Sequence, residues 1–257
     1  MRRILPESVP CCNATNQSRN PFPNFHGCQH QCQQYIAYQR QPLYRRNNVK
    51  SQCRQSFRDH TKNGITTTYL WGYNNNFPTA KTLNALNAAT AHTSFEADGN
   101  SSWTIGSSNR ITNDGITGKQ SYQLSGGAVT KTGLTTGQSY IVSYWTKNAS
   151  AFTISGTQGS PIQGRTVSGW TYFEHKVTGV TQVSLSGTGL IDELRLYPAE
   201  AQMITYTYDP LFGMTSQCDI NNIVTYYEYD ALSRLKLIRD QDKNVIRTIE
   251  YKYGGIN

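Results

Sequence analysis

The chain has 257 residues, 37% of them apolar and 16% charged, with 17 tyrosines, 21 glycines and a formal charge of +8. That length holds one or two domains with a sizeable core, and a chain rich in Tyr, Thr, Ser and Gly but poor in charge suits β-structure better than charged helices. It contains no apolar run of about 18–20 residues, as a membrane span needs, and no nucleophile elbow, zincin helix, phosphate loop or dinucleotide fingerprint.

The charge is not spread evenly. Residues 1–63 hold ten Lys/Arg, eight of them Arg, against Glu7 and Asp59, whereas residues 64–257 hold 14 of each sign. The body therefore has no basic excess to steer it towards phosphate, and no nucleic-acid partner is expected for it. Cys11, Cys12, Cys28, Cys32 and Cys53 lie in the same first segment and only Cys218 beyond it, so the body does not rely on disulfides. Met1-Arg-Arg-Ile-Leu5 runs into Pro6-Glu-Ser-Val-Pro10 instead of an apolar core, so no export signal is read here.

Residues 1–63 are rich in Gln, Asn and Arg and show no apolar period, which predicts a disordered segment or one that is not native coding sequence. His26-Gly-Cys28-Gln-His30-Gln-Cys32 lacks the spacings of common zinc modules. Residues 64–91 form the next block. Ile65-Thr-Thr-Thr-Tyr69-Leu-Trp71-Gly-Tyr73 predicts a strand, Asn74-Asn-Asn-Phe-Pro78 a turn, and 79–91 an Ala-rich connector with a short helix. In 92–198, short β-like runs alternate with Gly/Ser/Thr/Asn turns, at 92–96, 102–105, 120–124, 128–131, 139–147, 151–155, 170–177, 181–185 and 190–197. That spacing predicts a jelly-roll β-sandwich.

Residues 199–257 read as β-hairpins in series. Tyr206-Thr-Tyr208-Asp209 recurs as Tyr227-Glu-Tyr229-Asp230, 21 residues later, and Tyr251-Lys-Tyr253-Gly254 reads as a third, degraded copy. A fixed period of this length marks a repeat array. Both tyrosines of a pair share one face of their strand and stack as ladders across hairpins, while Asp209 and Asp230 cap the turns that follow them.

The hairpins resemble the YD repeats of RHS (rearrangement hotspot) and teneurin-like proteins, on Tyr206-Thr-Tyr208-Asp209-Pro-Leu-Phe-Gly213-Met and Tyr227-Glu-Tyr229-Asp230-Ala-Leu-Ser233-Arg234-Leu235. The pattern of that family is Tyr-x-Tyr-Asp-x-x-Gly-Arg-Leu and then an Asp-x-x-Gly turn, matched loosely by Asp219-Ile-Asn-Asn222 and Asp242-Lys-Asn244. Ser233 stands for the glycine of the second unit, and the first unit has one residue more. Tyr69-Leu-Trp71-Gly-Tyr73-Asn-Asn-Asn-Phe-Pro78 resembles the strand that precedes an inserted sandwich domain in RHS-type surface proteins. The insertion is similar to galactose-binding-like, carbohydrate-binding-module jelly rolls, on Phe95-Glu96, Leu134–Trp145, Trp170–Glu174 and Ile191-Asp192-Glu193-Leu-Arg195-Leu.

The fold this implies is all-β, a jelly-roll sandwich flanked by YD-repeat hairpins. The implied role is a non-catalytic structural and interaction segment of a secreted or cell-surface protein, whose YD shell encloses a toxin or displays an adhesive surface. Its partners would be the rest of a larger shell. The alternative is a carbohydrate-binding module acting through the 92–198 sandwich, with Trp145, Trp170 and Tyr172 as a platform on which a glycan stacks. The resemblance also implies a structural Ca2+ between Glu96 and Asp192, its shell completed by carbonyls near Asp98–Asn100. His175 and the Asp192-Glu193 and Asp240/Asp242 pairs are read as packing or solvated residues.

Overall fold

The chain enters as an antiparallel meander of β1 (Asp59–Lys62), β2 (Ile65–Gly72) and β3 (Phe77–Leu83). A computed structural model describes residues 59–62 (backbone alone), 64–96, 101–105 and 109–252, all within the unit Arg58–Asn257. The expectations for residues 1–58, including the His26–Cys32 run, lie outside the described residues. The first part of the connector expected over 79–91 is sheet, because β3 runs to Leu83, and one short 3-10 turn, Asn87–Ala89, takes the place of a helix.

Ten strands follow: β4 (Ala91–Thr93), β5 (Thr104–Ile105), β6 (Arg110–Thr112), β7 (Gln120–Gln123), β8 (Val129–Thr132), β9 (Tyr140–Thr146), β10 (Ile162–Val167), β11 (Trp170–Val177), β12 (Gln182–Leu185) and β13 (Leu190–Pro198). They make a seven-stranded sheet, ordered β10-β11-β9-β13-β7-β6 with β4 also on β13, and a three-stranded sheet, β12-β8-β5. Between them lies an apolar core that includes Phe95, Tyr122, Tyr144, Phe173, Leu185 and Leu194. The expected sandwich is therefore present. Residues 151–155 form no strand, and the nearby pairing is a single bridge from Thr157 to Val177. β10 escaped the sequence pattern because five of its six side chains are exposed, which leaves no alternation to read.

The meander then resumes as β14 (Gln202–Asp209), β15 (Gly213–Cys218), β16 (Val224–Tyr229), β17 (Leu235–Arg239) and β18 (Val245–Thr248). β14 pairs directly with β3, so both sides of the insertion join one eight-stranded antiparallel sheet. Along β14, Met203, Thr205 and Thr207 are buried, while Ile204, Tyr206 and Tyr208 on the other face are half-buried. The buried face is small and Thr-rich because it packs on the second face of the seven-stranded sheet. There Tyr197 and Ile141 meet Leu70, Ala80 and Met203, and the Tyr226 hydroxyl donates to the Ile116 carbonyl at 2.7 Å. The three sheets thus stack in layers.

Strand registers show that the repeat begins earlier in the chain than its tyrosine pairs suggest. Trp71 pairs with Pro78, Tyr208 with Met214 and Tyr229 with Leu235, each next to a register shift at the same point of its hairpin. The β2–β3 hairpin is therefore a further unit, with Tyr69 and Trp71 in the two tyrosine positions. Likewise Ala80 pairs with Thr205 as Ser216 pairs with Tyr226, so residues 84–201 stand where a short turn at 220–222 joins β15 to β16. The third copy is also reassigned. Leu237 pairs with Thr248 as Ser216 pairs with Tyr226, which puts Ile249 and Tyr251 in the two positions instead of Tyr251 and Tyr253.

Aspartates punctuate the array. Asp219, Asp230 and Asp240 each accept backbone N–H groups of the following turn: Asn221 and Ile223 (2.8 and 2.9 Å), Leu232 and Arg234 (2.9 and 3.0 Å), and Asn244 (2.8 Å). Asp209 accepts from Leu211 at 3.0 Å. The third turn belongs to Asp240 and not to Asp242, whose carboxylate pairs with Arg165 at 3.0 Å. Three residues after each turn aspartate the backbone is left-handed, at Asn222 (φ 62°), Ser233 (φ 59°) and Lys243 (φ 68°). A side chain pays about 1–2 kcal/mol for that region, of which added chain entropy returns about 0.4–1. Ser233→Gly is expected to stabilise the fold by roughly 0.5–1 kcal/mol, read as a rise of a few degrees in thermal midpoint; a fall would contradict the turn assignment.

Candidate functional site

The aromatic residues expected as a sugar platform are interior. Trp145 and Trp170 are 1% and 2% exposed and Tyr172 is 8% exposed. Ile116, Val167 and Leu190 close over them. The β10 backbone passes so near that a Cβ on Gly164 would lie 2.7 Å from the Tyr172 ring. The Trp145 and Tyr172 rings meet at 5.5 Å, and the Tyr172 hydroxyl donates to Glu174 at 2.8 Å. A face covered in this way cannot stack a sugar; these rings pack the sandwich instead.

Glu96 and Asp192 both converge on the loop before β7. Glu96 Oε1 accepts the Lys119 N–H at 2.7 Å and the Gln120 N–H. Asp192 Oδ2 accepts the Thr117 N–H and hydroxyl at 2.9 and 3.2 Å, and Oδ1 accepts the Glu193 N–H at 2.6 Å. Asp192 is fully buried, and burial together with the Glu193 and Glu96 charges raises its proton affinity well above the ordinary carboxylate range. Burial raises that of Glu96 as well. In charge the pair suits a hard divalent cation. Carbonyls at 98–100, expected to complete the shell, lie outside the described residues, among which no group of three His, Cys, Asp or Glu is placed to hold a metal.

Beside this pair sits a buried charge cluster that sequence reasoning missed. The β13 register shifts between Asp192 and Arg195, and Glu193 takes a left-handed φ of 52°, which turns its carboxylate inward. Glu193 Oε1 accepts Arg195 Nε at 3.0 Å and the Thr205 hydroxyl; Oε2 lies 3.3 Å from His92 Nε2 and accepts the Thr117 hydroxyl at 3.2 Å. Burial alone would raise the Glu193 pKa, but His92 and Arg195 together hold it far below the usual range. Arg195 is 1% exposed. Its remaining nitrogens reach the repeat sheet, donating to the Asp219 carbonyl (3.1 Å), Asn222 Oδ1 (3.0 Å) and Thr205 Oγ1 (2.9 Å). Asp192-Glu193, read as a solvated pair, is thus the centre of the junction between insertion and array. Its one sequence signal is a set of three charges, Asp192, Glu193 and Arg195, within the otherwise largely apolar β13.

His175 is a core residue. The Tyr144 hydroxyl lies 3.1 Å from Nε2 and Thr157 Oγ1 lies 3.2 Å from Nδ1, while burial lowers the imidazole pKa to about 4. Thr157 gives its own proton to the Ile154 carbonyl, so Nδ1 is the protonated ring nitrogen.

The repeat tyrosines divide by position. In the second position, the Tyr229 hydroxyl donates to the Met214 carbonyl at 2.8 Å and the Tyr251 hydroxyl to the Leu235 carbonyl at 3.0 Å, each stitching a unit to the one before. The Tyr208 ring stacks on Phe77 at 4.7 Å and meets Tyr73 edge-on at 5.7 Å. In the first position, Tyr206 and Tyr227 are half-buried on the face away from the insertion. Asp209 and Asp230 cap turns as expected, with Asp209 also paired to Lys119 at 3.2 Å.

No protein-family model matches this chain, and no curated protein is significantly similar to it.

Removing one partner of a buried ion pair costs about 3–5 kcal/mol, because the other charge is stranded. Arg195→Met is expected to lose that much in chemical denaturation, and Glu193→Gln added to it to restore part of the loss; a loss below about 1 kcal/mol would remove Arg195 from the junction.

Proposed function

We propose that this chain is a non-catalytic structural and interaction segment of an RHS-type YD-repeat protein, secreted or displayed at the cell surface as part of a larger polypeptide. One observation carries the reading: hairpin units in equivalent register lie on both sides of the sandwich and pair with each other through β3 and β14. An array of identical hairpins interrupted by a domain at a turn is scaffold architecture, in which each unit completes its neighbour's sheet. β18 supports the same partner. Its four side chains are all exposed and, among the described residues, β17 is its one strand partner, so its other edge can take an added antiparallel strand.

Appending a copy of residues 231–240 after Lys252 tests this. The added return strand is expected to raise the thermal midpoint by several degrees and to resist proteolysis. An unchanged midpoint with the added residues freely cleaved would overturn the scaffold reading. Surface labelling of intact cells tests the localisation.

A structural Ca2+ at Glu96 and Asp192 belongs to the same reading, since both carboxylates converge on the loop before β7 beside the buried Glu193. The fold is expected to melt several degrees higher in millimolar Ca2+ than in EDTA, and Asp192→Asn to erase the difference. Equal midpoints for the unsubstituted protein in both would dismiss the ion.

A further inference from the structure

The turn between β2 and β3 holds a tyrosine in an uncommon conformation. Tyr73 takes a left-handed φ of 52°, a region that few bulky residues enter. From there it meets one residue twice. Its hydroxyl accepts the Tyr208 N–H at 2.9 Å, and its ring stands edge-on to the Tyr208 ring, the centroids 5.7 Å apart and the planes at 83°. Phe77 closes the group, stacked on Tyr208 at 4.7 Å and edge-on to Tyr73 at 5.9 Å. Among the described residues this is the one contact between two tyrosine rings.

The pair is also placed where a bond between its members would matter. Tyr73 belongs to the hairpin before the insertion and Tyr208 to the hairpin after it, 135 residues along the chain. Both are half-buried, so neither is sealed from solvent. A phenol that loses one electron and its proton becomes a radical with spin on the ring carbons next to the oxygen. Two such radicals join carbon to carbon when they meet. Here the sheet holds the rings in contact, which removes the search that two separate phenols would need. The terminal torsion of tyrosine is broad, so either ring can turn an ortho carbon towards the other.

We propose that Tyr73 and Tyr208 form an oxidative dityrosine cross-link, which fastens the two sides of the array to each other across the inserted domain. The oxidant is hydrogen peroxide turned over by a haem peroxidase. Each phenol gives up one electron and one proton, and a bond forms between the two ortho carbons. The hydrogens on those carbons then move to the oxygens and restore both hydroxyls. The peroxide takes up the two electrons and two protons and leaves as two waters. The proposal rests on the contact between the rings and does not depend on the family reading.

Treating the full chain, in dilute solution, with a haem peroxidase and hydrogen peroxide tests it. Peptide mass spectrometry is expected to find Tyr73 joined to Tyr208 as the main tyrosine pair within the chain, two hydrogens lighter than the separate peptides, together with dityrosine fluorescence. The oxidised chain should melt several degrees higher, because the bond closes a loop of 135 residues in the unfolded state. Tyr208→Phe keeps the ring and the backbone N–H that Tyr73 accepts, so it should fold with an unchanged circular dichroism spectrum. It should nevertheless lose the link, most of the fluorescence and the rise in melting. Tyr206→Phe, on the same face of β14, should keep all three. No link between Tyr73 and Tyr208, links spread equally over other tyrosine pairs, or undiminished fluorescence in Tyr208→Phe would each overturn the proposal.

Discussion

The pairing of β3 with β14 is the constraint on which the other contacts hang. Leu83 lies opposite Gln202 and Ala80 opposite Thr205, so the two ends of the insertion are held one strand spacing apart, about 4.8 Å. A domain can be spliced into a turn when its own ends lie close together. Here β4 and β13, the first and last strands of the insertion, pair with one another. The sandwich therefore leaves the sheet and returns to it at nearly the same place, and the array on either side keeps its register. From that follow the common buried face, the Tyr226 bond to Ile116 and the placing of Arg195 over the turn at 219–222.

The junction is polar where an apolar contact would serve stability at least as well. Burying Glu193 and Arg195 carries a desolvation cost that their attraction repays only with every remaining donor satisfied. Arg195 comes close to that condition, with four of its five N–H groups on acceptors from three segments, two of them belonging to the array. Apolar packing tolerates sliding, whereas this set of bonds fits one relative placement of the sheets. Lys119 to Asp209 and Arg165 to Asp242 repeat the link at the surface, where such pairs contribute little energy.

Much of this was legible in the sequence because two local periods write it there. The alternation of Ile204–Asp209 and Val224–Asp230 sets the strands, and the aspartates that close them set the turns. The sandwich strands with strong aromatic and aliphatic runs, such as β9, β11 and β13, fall where the pattern puts them. The losses have separate physical causes. Trp145 and Tyr172 alternate as well as any half-buried residue, but whether their face meets water depends on the loop at Ile116 and on β10 folding over it, which local sequence does not encode. Glu193 was misread because a register shift re-aims it, and a shift has no compositional mark. Tyr251 was assigned to the wrong position because Ile249 fills the first, and only the ladder between β17 and β18 reveals the slip.

The place of the insertion also governs how a pull along the chain would be carried. Force applied at both ends of the meander falls on one hairpin after another and peels strands from the edges inward. Both ends of the sandwich are anchored at the neighbouring strands β3 and β14, so it hangs off the load path like a bead clipped to a rope. It feels no tension until Leu83 parts from Gln202. A domain mounted this way keeps its shape while the array that carries it is being stretched.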